Sequence, residues 1–250
     1  MVRLATLGLL AAMLLAGVSG ARAAEFTPAQ RDEIVGIVRD ALKRDPTILR
    51  DAVEALQAEE TARHEATARS AIADSRAALV ADPNDAVGGN PSGDVTIVEF
   101  FDTRCPYCRK LEPAIAALLL RDHGLRLVYK DLPILGPASV VGSKALLAAQ
   151  LQADRVPGAY EKLREALMRP GADSSGEAVL AAARGVGLDI ARLQGDMQSA
   201  SIQRRIDANL RLARALGIQG TPALVIGNDL IPGAVDVAEL EQAVKAARAR

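Results

Sequence analysis

The 250-residue sequence has no tryptophan, only three tyrosines and three phenylalanines, two histidines and two cysteines. Two cysteines exclude a disulfide-stapled scaffold, and the lack of a second cysteine pair excludes a four-cysteine zinc site. His64 and His123 stand in unrelated surroundings, so no metal ligand set and no cofactor is expected. Met1, Met13, Met168 and Met197 form no cluster. The formal net charge of −1 gives no basic field, and nucleic acid is not expected as a partner. Half of the residues are hydrophobic, so Leu, Ile, Val and Ala must build a core large enough for one or two domains.

The two cysteines that are present stand three residues apart, in Thr96-Ile-Val-Glu-Phe-Phe-Asp-Thr-Arg-Cys105-Pro-Tyr-Cys108. Ile97, Val98, Phe100 and Phe101 read as a short buried strand. After Cys108, apolar Leu111, Ile115, Leu118 and Leu119 recur at helical spacing. The pair therefore falls where a strand gives way to a helix. The first N–H groups of a helix lack intrahelical partners and carry partial positive charge, which favours a thiolate at that point. Cys105 is the expected nucleophile. Cys108, one turn in and on the same side, is the expected resolving thiol. Pro106 suits the first helical position. A zinc half-site or a structural staple are the bland readings, but the first lacks ligands and the second would close too small a loop to gain much.

Residues 1–23 read as a signal peptide: Arg3, an apolar run from Leu4 to Val18, and Ala21-Arg22-Ala23 as a cleavage site. The alternative, a membrane helix, has too short a run and no stop-transfer charges. Export to an oxidising compartment, the periplasm, is expected. A sole cysteine pair there points to work on the disulfides of other proteins.

Residues 24–87 read as a helical extension. Thr27 caps a first helix with Pro28 behind it, and Asp45-Pro46 opens a second. Ile34, Val35, Ile37, Val38, Leu42, Ile48, Leu49, Val53 and Leu56 make an apolar stripe. From Gln57 to Ser70 the sequence forms helix without a face to bury, and His64 reads as solvated. One helix from Pro46 to Ala81 would be roughly 50 Å long, and its apolar end needs a partner. Self-association is expected, with a helical hairpin packed on its own domain as the alternative. Val87 to Gly93 reads as a turn-rich linker.

Residues 88–250 read as an α/β domain. After the cysteine helix, Gly124 is the expected C-terminal stop and His123 a capping residue. Leu125–Lys130 is a strand joined by a parallel crossover. Residues 138–216 are an almost wholly helical insertion: a helix through Leu151, another around Tyr160 to Met168, a third from Glu177 to Arg184, and a fourth from Ile190 through Leu216 with one break near Ser199, Pro170-Gly171 and Gly185-Val-Gly187 being the other breaks. Ala223–Ile226 and Asp229–Ile231 flank the hairpin turn Gly227-Asn228, and Asp236–Ala247 is a final helix.

This order of elements, with Cys105-Pro-Tyr-Cys108 and Gly220-Thr221-Pro222, resembles the thioredoxin fold with the helical insertion of the DsbA family from about Asp94 onward. The extension, with Asp45-Pro46-Thr-Ile, is similar to that of the ScsC (suppressor of copper sensitivity protein C) branch. The resemblance implies a thiol–disulfide oxidoreductase with Cys105 and Cys108 catalytic. Pro106, Tyr107, Thr221 and Pro222 would border the substrate, with Pro222 cis; an ordinary trans turn proline is the alternative. Glu99 resembles the buried proton-relaying acid of the fold, or is an edge-strand surface acid. Lys130 is either its partner or solvated. Extensions of this branch can drive trimer formation, and some members isomerise disulfides. A disulfide isomerase or reductase is therefore expected, with thiol- or disulfide-containing proteins as substrates and a membrane thiol reductase, or oxidase, as partner. Tyr107 stands where the strongest oxidants of the family carry histidine, which implies a less oxidising disulfide. The rival readings are a dithiol oxidase and, from another class, a Cu(I)-binding protein using both thiolates.

Overall fold

The computed structural model describes residues 26–173 and 175–249. The expected signal peptide lies outside the described residues. Among the described residues no helix is long and apolar enough to cross a membrane. The chain divides into two compact units at Glu59 and Glu60.

In the first unit, α1 spans Pro28–Arg44. Thr27 caps it: its hydroxyl accepts from the Gln30 N–H, and the Gln30 side chain accepts in return from the Thr27 N–H. Helix α2 spans Thr47–Asp74 and runs on into the second unit, to which the stretch after it belongs; the Asp45 carboxylate accepts from the Thr47 N–H. Ser75 then interrupts the helix, and α3 runs Arg76–Val80, so the single helix expected through Ala81 is broken in its last turns.

In the second unit, five strands form one sheet of order β1-β3-β2-β4-β5. They are β1 (Ala86–Gly89), β2 (Val95–Phe101), β3 (Leu125–Asp131), β4 (Ala223–Ile226) and β5 (Asp229–Pro232). Strand β2 is parallel to β3 and antiparallel to β4. Strand β1 pairs antiparallel to β3, Val87 opposite Val128. The turn-rich stretch read as a linker from Val87 is thus an edge strand, and the boundary expected at 87/88 falls inside it. Two glycines disguise this strand. At Gly88 a Cβ would lie 3.0 Å from the Tyr129 hydroxyl, and Gly89 has φ +66.

Side chains alternate across a sheet. Val95 and Ile97 of β2, with Leu125 and Leu127 of β3, pack against α4 (Pro106–Arg121) and α10 (Val237–Arg248). Val98 and Phe100 face the other way, onto Ile72, Leu79 and the end of α9 (Ala200–Ala215). Between β3 and β4 lie α5 (Pro137–Gln150), α6 (Ala159–Met168), α7 (Gly176–Gly185), α8 (Ile190–Met197) and α9. They share a third core that reaches Phe101, Cys105 and Cys108. The break expected near Ser199 is there: Ser199 caps α9.

Gly124 does not have the left-handed conformation of a helix stop. A Cβ there would sit 2.6 Å from an Asp94 carboxylate oxygen and 2.7 Å from an Arg248 guanidinium nitrogen, so the glycine leaves room for that ion pair. His123 does not cap α4; its carbonyl accepts from the Asn90 amide. In the β4–β5 turn only Gly227 has positive φ, +63, which suits a hairpin with glycine at the first central position.

Candidate active site

Strand β2 ends at Phe101 and α4 begins at Pro106; the turn between them carries the chemistry. Cys105 is the N-cap of α4, with Pro106 in the first turn. The turn is held by Asp102, which is fully buried. Its carbonyl accepts from the Cys105 N–H at 3.0 Å. One carboxylate oxygen accepts from the Arg104 N–H at 2.9 Å, and the other from the Ile134 and Leu135 N–H groups at 2.9 and 3.0 Å. One side chain thereby ties the cysteine turn to the loop after β3. Gly142 of α5 brings the helical insertion against the same turn, since a Cβ there would fall 2.4 Å from the Thr103 hydroxyl.

Cys105 and Cys108 are both free thiols and both buried, Cys105 at 4 % exposure and Cys108 at 0 %. The Cys105 thiol donates to the Thr221 carbonyl at 3.1 Å across 116 residues of sequence. The Thr221–Pro222 peptide bond is cis, in agreement with the expectation. Tyr107 points outward, 61 % exposed. Burial pushes the Cys108 thiol well up. The charges of Cys105 and Glu99 add to that, while the Asp102 backbone and the Thr221 hydroxyl oppose it. An open cleft of ≈ 650 Å³ borders the cis-proline loop, with His64, Thr67 and Ala68 of α2 among its walls and Leu216, Leu230 and Gly233 opposite. The polar stretch of α2 read as faceless therefore has a side turned to this cleft.

Glu99 is fully buried, not a surface acid. By alternation it follows Val95 and Ile97 on the α4 face of the sheet. Burial pushes its carboxyl up to about 7, against the pull of Arg164 and with the help of Glu112. Its partner is Arg164 of α6, at 2.7 Å. Lys130 is neither that partner nor solvated. It pairs with Phe100 in the parallel register, one residue out of phase with Glu99, and so faces the other side. There it is buried, paired to Asp85 at 2.5 Å and to the Ala78 carbonyl at 2.7 Å.

Arg164 and Asp102 escaped the sequence reading. A signal existed for the first: Arg164 falls among Tyr160, Leu163 and Leu167 on the buried face of α6, where a charge needs a partner.

A strand leading into a helix that opens on two thiols, with the Thr221 carbonyl before a cis-proline against the first, defines a thioredoxin fold carrying a helical insertion. The chain belongs to the DsbA-like thioredoxin domain family, which matches residues 96–245. Residues 30–63 match the copper resistance protein ScsC N-terminal domain. A thioredoxin-like oxidoreductase from Silicibacter pomeroyi is 43% identical in a match covering 70% of this chain and 98% of that one, with a TM-score of 0.66. Proteus mirabilis ScsC in a transitional conformation is 30% identical over 90% of this chain and 99% of its own, with a TM-score of 0.64. The thiol:disulfide interchange protein DsbA of Bordetella parapertussis is 32% identical over 143 residues, 54% of this chain and 64% of that protein. A further likeness, 28% identity to a Na(+)/H(+) antiporter NhaA of Salinispora tropica, spans only 25% of that protein's length.

Proposed function

We propose that this chain is a periplasmic protein disulfide isomerase or reductase, assembled through its N-terminal helices. The observation that carries the reading is the apolar stripe of α1 and α2. Ile34, Val35, Ile37, Val38, Ile48, Leu49, Val53 and Leu56 are all exposed, on helices with no buried residue before Ile72. A second copy of the same stripe is the simplest cover, and a trimer is the favoured assembly. Linked copies would raise the local concentration of active sites around a misfolded chain.

In the proposed cycle the Cys105 thiolate attacks a substrate disulfide. A Cys105–substrate S–S bond forms, and the substrate's other sulfur leaves as a thiolate that takes a proton from solvent. The freed substrate thiolate can then attack a second substrate disulfide, forming a new S–S bond and freeing another substrate thiolate; when that thiolate attacks the substrate sulfur bonded to Cys105, a substrate disulfide forms and Cys105 leaves as the thiolate, so the enzyme stays reduced. Otherwise Cys108 gives its proton to the Glu99 carboxylate and attacks Cys105. The Cys105–Cys108 bond forms, the substrate thiolate departs, and a membrane thiol reductase must restore the dithiol. Thr221 and Pro222 would align the substrate backbone beside Cys105 by strand addition, with Pro106 and Tyr107 on the opposite lip.

The likeness to a named DsbA supports a second reading, a dithiol oxidase using the same residues from the oxidised state. Mass measurement and a scrambled-substrate assay, run on the mature chain and on residues 60–250 at equal active-site concentration, discriminate the two. The isomerase reading expects a multimer and a loss of most isomerase activity on truncation. A mature chain that is monomeric, or equal isomerase activity in both proteins, would favour the oxidase.

A further inference from the structure

The proton-accepting role just given to Glu99 raises a question of chemistry. A carboxylate that touches an arginine is normally held ionised, yet Glu99 retains its proton to near neutrality. The arrangement around Arg164 explains why. The guanidinium meets two carboxylates, not one. Its two terminal nitrogens grip Glu112 of α4 as a fork, Nη1 to Oε2 at 2.8 Å and Nη2 to Oε1 at 2.5 Å. Glu99 receives a single contact from Nη2, at 2.7 Å. Its other oxygen, Oε1, is buried with no hydrogen-bond partner among the described residues, and so keeps a lone pair for a proton. Arg164 cannot swing away to favour either acid, because its guanidinium is clamped between the rings of Phe101 and Tyr129, 4.6 and 4.3 Å from their centroids. With both acids ionised the trio carries a net negative charge in a nearly dry site. With Glu99 protonated it is neutral, which is the cheaper state to bury.

We propose that Arg164 and Glu112 are positioning residues that set the pH at which Cys108 resolves mixed disulfides, by competing and cooperating over the charge of Glu99. The proposal rests on Glu99 being the acceptor of the Cys108 proton. Arg164 comes from the helical insertion and Glu112 from the cysteine helix, so the insertion would tune the redox pair without touching either sulfur. The remaining ionisable groups that face Glu99 are Cys108 of α4 and Tyr129 and Asp131 of β3. None of them is positive, and Arg164 is the cation that pulls the Glu99 proton down.

The two residues pull in opposite directions, and that makes the test sharp. In the mature chain labelled with ¹³C-glutamate, the Glu99 carboxyl is identified by its absence in Glu99→Gln and titrated in the reduced protein. Glu112→Gln removes a negative neighbour and leaves the charge of the fixed guanidinium to Glu99 alone, so the Glu99 midpoint should fall by about 1 pH unit or more. Arg164→Lys, which keeps the charge but loses the fork, and Arg164→Met, which loses both, should raise it, the second more than the first. The pH profile of Cys108-dependent release of a glutathione adduct on Cys105 should move with the midpoint in each variant. Glu112 is partly exposed, so its variant folds even where Arg164→Met does not. Midpoints that stay put in Glu112→Gln, or that move the same way in the Glu112 and Arg164 variants, would overturn the proposal. Midpoints that split as described while the release profiles do not follow would overturn the role of Glu99 itself, and with it the link to Cys108.

Discussion

The two compact units solve opposite problems. In residues 26–59 no side chain is buried, and nine large apolar residues lie in the open. In residues 60–249 three cores enclose the sheet on both faces and even polar groups are taken inside, among them Glu99, Asp102, Lys130, Asp131 and Arg164. Hydrophobic burial drives folding in proportion to the area removed from water. The second unit has removed that area within one chain. The first has not, and its helices hold capping and propensity as their own support, which is marginal for helices of this length in water. The lesson is that assembly and chemistry are separable here. One unit leaves its apolar stripe for the proposed assembly to cover, and the other buries its own within the chain.

The comparison breaks most completely at Cys105. Cys105→Ala should abolish disulfide exchange while leaving the assembled mass unchanged, and Cys108→Ala should accumulate mixed disulfides visible on non-reducing gels. If both variants were equally inert without adducts, the order of the two thiols would be reversed or wrong.

The next effect concerns where the self-sufficient unit begins. A chain starting at Glu60 should unfold at the same temperature as the isolated sheet unit of the mature protein. A chain starting after Val80 loses Ile72 and Leu79, both buried, together with the Ala78 carbonyl that receives Lys130. Two large core side chains cost about 2–5 kcal/mol each, so this shorter chain should lose most of its stability, read as a fall in the urea midpoint.

That difference also marks how far the sequence was legible. Periodicity and punctuation located the strand before Cys105, the insertion helices and the hairpin, because each has local signals: an apolar run before Cys105 and proline at 106, breaks at Pro170-Gly171 and Gly185-Val-Gly187, and Gly227-Asn228 at the hairpin. The cis Thr221–Pro222 bond was anticipated from the family resemblance. What stayed hidden depends on pairings distant in the chain. Strand β1 is four residues with two glycines, and only β3 gives it form. Lys130 and Glu99 sit on adjacent strands, and nothing local says that the register puts them on opposite faces. Arg164 lies 65 residues from Glu99, so its role emerges only when α6 closes over the sheet.

The buried acids sharpen the comparison through pH. Glu99 titrates near 4.5 when unfolded and is pushed up to about 7 when folded, chiefly by burial. Between those values the folded chain binds more protons than the unfolded one, so stability falls as pH rises through that window. The full effect is about 3 kcal/mol. Asp131, pushed up to about 6 by burial, adds to the same slope. Glu99→Gln should flatten the loss of stability between pH 5 and 8 in the chain beginning at Glu60. Among the described residues the first unit buries no acid, and the proposed assembly should be indifferent over that range. A slope unchanged in Glu99→Gln would mean that the carboxyl is already ionised.

Leu49→Asp places a charge in the exposed stripe. It should leave the dithiol chemistry of each sheet unit intact, lower the mass to that of a monomer, and reduce isomerase activity on the order of tenfold through lost effective concentration. Retained mass would remove Leu49 from the interface.

The smallest effect lies where the two thiols meet the cis-proline loop. Thr221 touches both: its carbonyl accepts from Cys105 at 3.1 Å, and its hydroxyl favours the Cys108 thiolate from outside full hydrogen-bonding geometry. Thr221→Val keeps the carbonyl, the shape and the fold but deletes the hydroxyl. Attack by Cys105 on a peptide disulfide should therefore proceed at the parent rate. Resolution by Cys108, already hampered by burial, should slow by roughly fivefold, the equivalent of one modest hydrogen bond of about 1 kcal/mol. Single-turnover measurements separate the steps, because the first makes the adduct and the second releases it. Equal slowing of both would assign Thr221 to substrate alignment instead, and no slowing of either would leave its hydroxyl without a part in the chemistry.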